Sequence, residues 1–104
     1  MVGNSGHAKA FTGLKGKEAV RRTGEIAAKA IGCKNEEIYL ASTGVIGEPL
    51  DAHKFDAVMV GLVSEAKPGD WVEAARAIMT TDTFPKLAWR RVMIEGKPII
   101  IAAI

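Results

Sequence analysis

The residues with the clearest chemical potential lie in one short segment, residues 41–49, which reads ASTGVIGEP. An apolar strand ends here in hydroxyl residues and glycines, which would place backbone N–H groups and the Thr43 hydroxyl at the carboxyl edge of a sheet. Donors fixed on a tight turn can stabilise an oxyanion, because they face the developing charge without having to reorganise. The alternative is a plain strand-to-helix turn whose glycines only satisfy backbone geometry, and the segment alone leaves both interpretations open.

A second polar segment, residues 79–86, carries three threonines and one aspartate at the predicted end of a helix. Its hydroxyl groups could hydrogen-bond a polar small molecule, while Asp82 and Lys86 offer opposite charges to an amino-acid ligand. Alternatively, these side chains only cap and turn the backbone before Pro85. Neither segment by itself identifies a reaction.

Other kinds of chemistry have little support. The two histidines, His7 and His53, stand far apart, and the chain has no Cys-x-x-Cys pair and no nucleotide-binding glycine motif. Residues 13–17 could surround a phosphate at a helix N-terminus, but a solvated capping loop is the simpler interpretation. No metal ion is therefore expected. A net charge of +2 without a basic aromatic surface gives no reason to expect nucleic acid as a partner.

Composition sets the broad class. The 104 residues are 48% hydrophobic and 25% charged, which is typical of a single globular domain, here predicted over residues 1–104. The single cysteine, Cys33, cannot form an internal disulfide, so a reducing cytoplasm is the expected location. The longest apolar runs, residues 57–63 and 99–104, are far shorter than the roughly 18 residues of a membrane span, so no membrane is expected as a partner.

Hydrophobic periodicity predicts the elements that would position these segments. The expected order is α-β-α-α-β-β, an α/β fold with helices packed on a mixed or antiparallel sheet and ending in a β-hairpin. The first stretch, residues 3–16, reads as a loop. The predicted elements are a helix over residues 17–31 capped by Gly32, a strand over 38–41, a helix capped by Asp51, a helix opened by an Asp70–Glu73 capping box, and a hairpin turning at residues 95–97.

Taken together, the polar segments resemble one enzyme family. The motifs are NSG at residues 4–6, AFTG at 10–13, ASTGVIGEPL at 41–50 and AIMTTDTFPK at 77–86. In this order and spacing they are similar to the ornithine acetyltransferases, the bifunctional glutamate N-acetyltransferases of arginine biosynthesis. The resemblance covers nearly the whole chain.

The resemblance implies a mechanism and a set of roles. Members of that family cleave themselves before a threonine, and the new N-terminal threonine of the β chain takes acetyl from N-acetylornithine and passes it to glutamate. The resemblance implies that Thr43 and Gly44 form the oxyanion hole, through a hydroxyl and a backbone N–H, and that Thr80 helps to bind substrate. It implies no cofactor, although acetyl-CoA is a possible acetyl donor, and it implies the rest of the enzyme, including the β chain, as partner.

The chain also departs from the family pattern. The family's substrate-binding lysine and its nucleophilic threonine are not among these residues, and the apolar end Ile99 to Ile104 reads as a strand cut short. The chain is therefore interpreted as a fragment of the α chain that is inactive alone. His7 and Lys9 stand where the family has asparagines. The alternative interpretation is a non-catalytic domain, derived from that enzyme, that binds a ligand or another chain.

Overall fold

A computed structural model describes all residues from Met1 to Ile104 and divides them into two compact units, Met1–Pro68 and Gly69–Ile104. The first unit contains β1 (Val2–Asn4), α1 (Gly13–Ile31), a 3₁₀ turn (Asn35–Glu37), β2 (Leu40–Ser42) and α2 (Lys54–Glu65). The second unit contains α3 (Trp71–Ala77), β3 (Ala88–Ile94) and β4 (Lys97–Ala103). The chain is thus a mixed α/β protein, as predicted, and it ends in the predicted hairpin.

The element order differs from the prediction at the N-terminus. Residues 3–16 were expected to form a loop, but β1 lies at Val2–Asn4 and α1 begins at Gly13, so the order is β-α-β-α-α-β-β. In place of one sheet there are two two-stranded sheets, one parallel (β1 with β2) and one antiparallel (β3 with β4). Local sequence does not reveal β1, because Gly and Asn disfavour strands and only its pairing with β2 defines it.

Helix α1 connects the parallel strands and forms the core of the first unit. Its apolar face carries small residues, and Thr23 is only 1% exposed, with its hydroxyl donating to the Ala19 carbonyl at 2.7 Å. Gly32 ends the helix in the left-handed conformation, at φ 80°, as predicted for a C-terminal cap. The buried residues of the unit are Gly16, Ala19, Thr23, Gly24, Ala27 and Ala28 on α1, Ala52 in the turn before α2, and Met59 on α2.

The predicted caps of the other two helices need correction. Helix α2 begins at Lys54 rather than directly after Asp51, whose carboxylate instead accepts the His53 N–H at 3.1 Å in the preceding turn. Helix α3 does begin after Asp70, but the Asp70 side chain makes no capping hydrogen bond. Its expected partner, Glu73, pairs with Arg76. In both helices an acidic residue pairs with a group other than the N–H that the capping pattern suggests, Asp51 with the His53 N–H and Glu73 with Arg76.

The hairpin of the second unit has a tight, two-residue turn. Ile94 pairs with Lys97, and both Glu95 (φ 49°) and Gly96 (φ 74°) adopt left-handed backbone angles, the geometry of a type I′ turn. This turn matches the right-handed twist of the strands. The two strands leave large apolar side chains exposed, including Ile100 at 56%.

The turn after β2 lies directly against the loop after β1. The register Asn4↔Ser42 continues past the strands, because Val45 donates its N–H to the Gly6 carbonyl at 3.1 Å. Gly44 takes up φ 129°, and a Cβ placed on it would lie 2.4 Å from the carbonyl carbon of Gly6. Only glycine fits here, since both the backbone angle and the space exclude a side chain.

The same substitution should therefore have opposite effects at two glycines. Gly44→Ala is expected to destabilise the fold by about 2 kcal/mol or more, because a Cβ meets backbone atoms at an angle that L-residues disfavour. Gly61→Ala, in open space inside α2, should stabilise it by about 0.5 to 1 kcal/mol. Urea unfolding followed by circular dichroism measures both changes. Shifts of the same sign would contradict this packing.

The type I′ turn gives a second prediction. Glu95→Asn should stabilise the hairpin by about 0.5 to 1 kcal/mol, because Asn adopts left-handed angles more readily than Glu. The fraction of hairpin follows from Hα chemical shifts across β3 and β4, and Glu95→Ala is the control that lacks this preference. An Asn variant no better than the Ala variant would argue against the turn type.

Candidate functional site

The main chain around Thr43 is held by β1 and the loop that follows it. Thr43 donates its N–H to the Asn4 carbonyl at 3.1 Å, and Ala8 donates its N–H to the Val45 carbonyl at 2.9 Å. Gly47 adds a third bond, from its N–H to the Ala10 carbonyl at 3.0 Å. The turn at residues 43–47 therefore continues the parallel pairing of the two strands instead of leaving the sheet as a free loop.

Two neighbouring donors of this turn, on Thr43 and Gly44, have no partner within it. The Gly44 N–H lies between those of Thr43 and Val45, and none of the hydrogen bonds of the turn uses it. The Thr43 side chain is exposed, and its hydroxyl likewise has no partner within the turn. A hydroxyl and an N–H on consecutive residues of a rigid turn can donate to the same oxygen atom.

The side chain of Asn4 connects the end of β2 to the loop after β1. Its amide oxygen accepts a hydrogen bond from the Ser42 hydroxyl at 2.7 Å, and its amide nitrogen donates to the His7 carbonyl at 3.2 Å. Both bonds are partly buried. Asn4 belongs to the NSG motif at residues 4–6, but the sequence alone predicts no role for it.

Lys9 lies in the same loop, between the two residues that bond to the turn. It is half-buried, and loss of solvent around the amine lowers the pKa of Lys9. Its carbonyl accepts the Thr12 hydroxyl at 2.7 Å at the start of α1.

The second polar segment, at residues 79–86, belongs to the second unit. The Asp82 carboxylate pairs with the Lys86 ammonium and also accepts the Thr80 N–H at 3.4 Å. The hydrogen bond from Lys86 is the main reason that the pKa of Asp82 lies below its ordinary value, with a further contribution from the Thr80 N–H. Lys86 also lies 5.0 Å from the centre of the Phe84 ring.

This pairing changes the interpretation of the segment's charges. Asp82 and Lys86 were expected to offer opposite charges to a ligand, but the structure pairs them with each other. The side chains of Thr80, Thr81 and Thr83 remain exposed, and their hydroxyls can meet a ligand. The structure thus places Thr43 and Gly44 together on one turn of the first unit, and Thr80 on the polar segment of the second.

The best-formed groove of the first unit lies outside these two polar segments. A groove of about 410 Å³ lies between α1 and α2 and is lined by both charged and apolar residues, among them Arg22, Asp56 and Met59. An Arg22–Asp56 ion pair at 3.2 Å crosses it. No group of three or more His, Cys, Asp or Glu side chains is arranged to hold a metal ion. None of the helices combines the length and the apolar character needed to cross a bilayer.

Comparison with known sequences gives the chain its family. The sequence profile described as the ArgJ family matches residues 1–104. The arginine biosynthesis bifunctional protein ArgJ of Nitrobacter winogradskyi is 60% identical over all 104 residues, and that of Mesorhizobium japonicum is 57% identical. The chain spans about a quarter of the length of each, 25% in both cases.

A solved structure agrees with the sequence comparison. The crystal structure of the arginine biosynthesis bifunctional protein ArgJ from Bacillus halodurans matches 96% of this chain with a TM-score of 0.73 and 28% sequence identity. The match covers 52% of the solved chain. Because the family profile covers every residue and relatives above 50% identity align along the whole length, the chain belongs to the ArgJ family.

Proposed function

We propose that this chain is part of an acetyltransferase that moves acetyl from N-acetylornithine to glutamate in arginine biosynthesis, and that Thr43 and Gly44 form its oxyanion hole. Membership in the ArgJ family and relatives named for arginine biosynthesis support the pathway. The observation that carries the site is the turn at Gly44, where two neighbouring donors have no partner within the turn and the backbone on both sides is hydrogen-bonded to β1 and its loop.

The proposed reaction has two halves. The hydroxyl oxygen of a threonine outside these 104 residues attacks the acetyl carbonyl of N-acetylornithine, and the carbonyl oxygen gains negative charge. Breaking the C–N bond releases ornithine, whose amine takes up a proton, and leaves an acetyl ester on the threonine. The amine of glutamate then attacks the ester carbonyl, and the threonine hydroxyl is regenerated as N-acetylglutamate leaves. No cofactor is required, and acetyl-CoA could replace N-acetylornithine as donor in the first half.

The Thr43–Gly44 turn would act in both halves, because each passes through a tetrahedral oxyanion. The Thr43 hydroxyl and the Gly44 N–H would donate to that oxygen, and their interaction strengthens as its charge grows. The close approach of Gly44 to Gly6 supports this role, because it keeps the turn from relaxing between reactant and transition state. Donors that need not reorganise contribute most to catalysis.

Thr80 is proposed to bind substrate through its exposed hydroxyl. The carboxylate of Asp82 accepts the Thr80 N–H and is itself neutralised by Lys86, so the backbone at Thr80 is held without a free negative charge beside it. This arrangement suits a substrate that carries its own carboxylate, because a free Asp82 would repel it.

A chimera tests the proposed function directly. Residues 1–104 replace the matching quarter of the Nitrobacter winogradskyi protein, to which they are 60% identical, and the product is assayed for acetyl transfer between N-acetylornithine and glutamate. In this chimera Thr43→Ala is expected to lower kcat about 100-fold to 1000-fold, whereas Thr43→Ser, which keeps the hydroxyl, should remain within about tenfold. An inactive parent chimera, or a Thr43→Ala variant within twofold of the parent, would contradict the proposal.

The role of Thr80 predicts a different kinetic signature. Thr80→Val in the same chimera should raise KM about tenfold with a smaller change in kcat. A substrate contact that is equally strong in the ground state and the transition state affects substrate binding and not the chemical step. Thr83→Val, three residues away in the same segment, is the matched control. Equal effects of the two substitutions would mean that Thr80 has no specific role in binding substrate.

The ion pair beside Thr80 predicts a pH dependence. Because the pKa of Asp82 is lowered in the folded chain, its carboxylate supports the segment above its unfolded pKa, and that support is lost as pH falls through the folded value. Lys86→Met should raise the pKa of Asp82 toward its ordinary value, as read from its carboxyl ¹³C shift during titration. An unchanged titration curve would mean that the ion pair does not form in solution.

A further inference from the structure

We propose that Asn4 is a positioning residue that holds the Thr43–Gly44 turn in the geometry an oxyanion hole requires. Its catalytic consequence rests on the proposed function, but its structural consequence does not. Three contacts of Asn4 carry the inference: one is with the residue before the turn, one with a residue of the turn and one with the residue that pairs with Val45.

The three contacts lie on both sides of Thr43. The Asn4 side-chain oxygen accepts the Ser42 hydroxyl at 2.7 Å, immediately before Thr43, and the Asn4 main-chain carbonyl accepts the Thr43 N–H at 3.1 Å. The Asn4 side-chain nitrogen donates to the His7 carbonyl at 3.2 Å, and His7 pairs with Val45, just beyond Gly44. One residue thus fixes the chain before and after the two proposed donors.

An amide is the group whose chemistry fits both side-chain contacts. It accepts a hydrogen bond from a hydroxyl with its oxygen and donates one to a carbonyl with its nitrogen. A carboxylate in the same place would keep the bond from Ser42 but would set a negative oxygen against the His7 carbonyl. Alanine would leave the Ser42 hydroxyl and the His7 carbonyl without these partners in a partly buried place.

The geometry matters because hydrogen bonds weaken steeply when donor and acceptor are misaligned. A turn that can rotate would still allow substrate to bind, but its donors would no longer meet the charge that develops on the carbonyl oxygen. Loss of Asn4 should therefore lower kcat and leave KM nearly unchanged, which is the signature of an interaction made only in the transition state.

Amide hydrogen exchange on the 104-residue chain tests the positioning without any turnover. In Asn4→Ala, the Thr43 and Val45 N–H groups should exchange about tenfold faster, the order expected from losing two side-chain hydrogen bonds. The Val2 N–H, which donates to the Tyr39 carbonyl at the other end of the same strands, should stay within about twofold. Unchanged exchange at Thr43 and Val45, or an equal rise at Val2, would overturn the inference.

A second variant covers the case in which Asn4→Ala does not fold. Ser42→Ala removes one of the two side-chain bonds and leaves Asn4 in place, so its effect on exchange at Thr43 should be smaller but in the same direction. Exchange at Thr43 unchanged by this variant would equally overturn the inference.

Kinetics in the chimera then test the catalytic consequence. Asn4→Ala should lower kcat about tenfold with KM within twofold, and the Asn4→Ala, Ser42→Ala double variant should be no worse than Asn4→Ala alone, because Ser42 acts through Asn4. Ser64→Ala, which removes a hydroxyl bonded to the Gly61 carbonyl in α2, is the control for losing a side-chain hydrogen bond elsewhere. If Thr43→Ala impairs the chimera while Asn4→Ala matches Ser64→Ala, Asn4 has no positioning role and the proposed function still stands.

Discussion

The contact between Gly44 and Gly6 is the constraint on which the rest of the first unit depends. A Cβ on Gly44 would lie 2.4 Å from the Gly6 carbonyl carbon, so two backbones meet at a distance that only glycine allows. This contact is possible because β1 and β2 run parallel with Asn4 beside Ser42, and parallel strands require a crossover between them. Helix α1 is that crossover. Its small buried residues, such as Ala27 and Thr23, give the unit its core.

The Gly44–Gly6 contact determines which donors of the turn are available for the proposed chemistry. The N–H groups of Thr43 and Val45 hold the turn against β1 and its loop, whereas the Gly44 N–H and the neighbouring Thr43 hydroxyl have no partner in the turn. A donor pair that the fold itself keeps in place suits a reaction in which charge appears on one oxygen atom and then disappears. The amide of Asn4 adds a second support behind the turn, through Ser42 on one side and His7 on the other.

Local patterns in the sequence predicted those parts of the fold that local interactions define. Helix α1 and its cap at Gly32 follow from apolar spacing and from glycine's tolerance of left-handed angles, and the hairpin follows from Glu95-Gly96 between apolar runs. Strand β1 was missed because its pairing partner is β2, on the far side of α1. The capping bonds predicted for Asp51 and Asp70 do not form, although α3 does begin after Asp70 as predicted, because the sequence pattern does not specify which partner a carboxylate finds. For the proposed site, Thr43 and Gly44 come from motif resemblance, whereas the proposed role of Asn4 depends on a bond between residues 38 positions apart.

The most direct test of the oxyanion hole is the carbonyl stretching frequency of the acetyl-enzyme. The chimera is loaded from N-acetylornithine carrying a ¹³C-labelled acetyl carbonyl, without glutamate, and difference infrared spectra are compared with those of the Thr43→Ala variant. Two hydrogen bonds to the carbonyl oxygen polarise it, so the band of the parent should lie at lower frequency than that of the variant. Identical bands in the two proteins would mean that the Thr43 hydroxyl does not contact the reacting carbonyl, and the turn would have to be assigned another role.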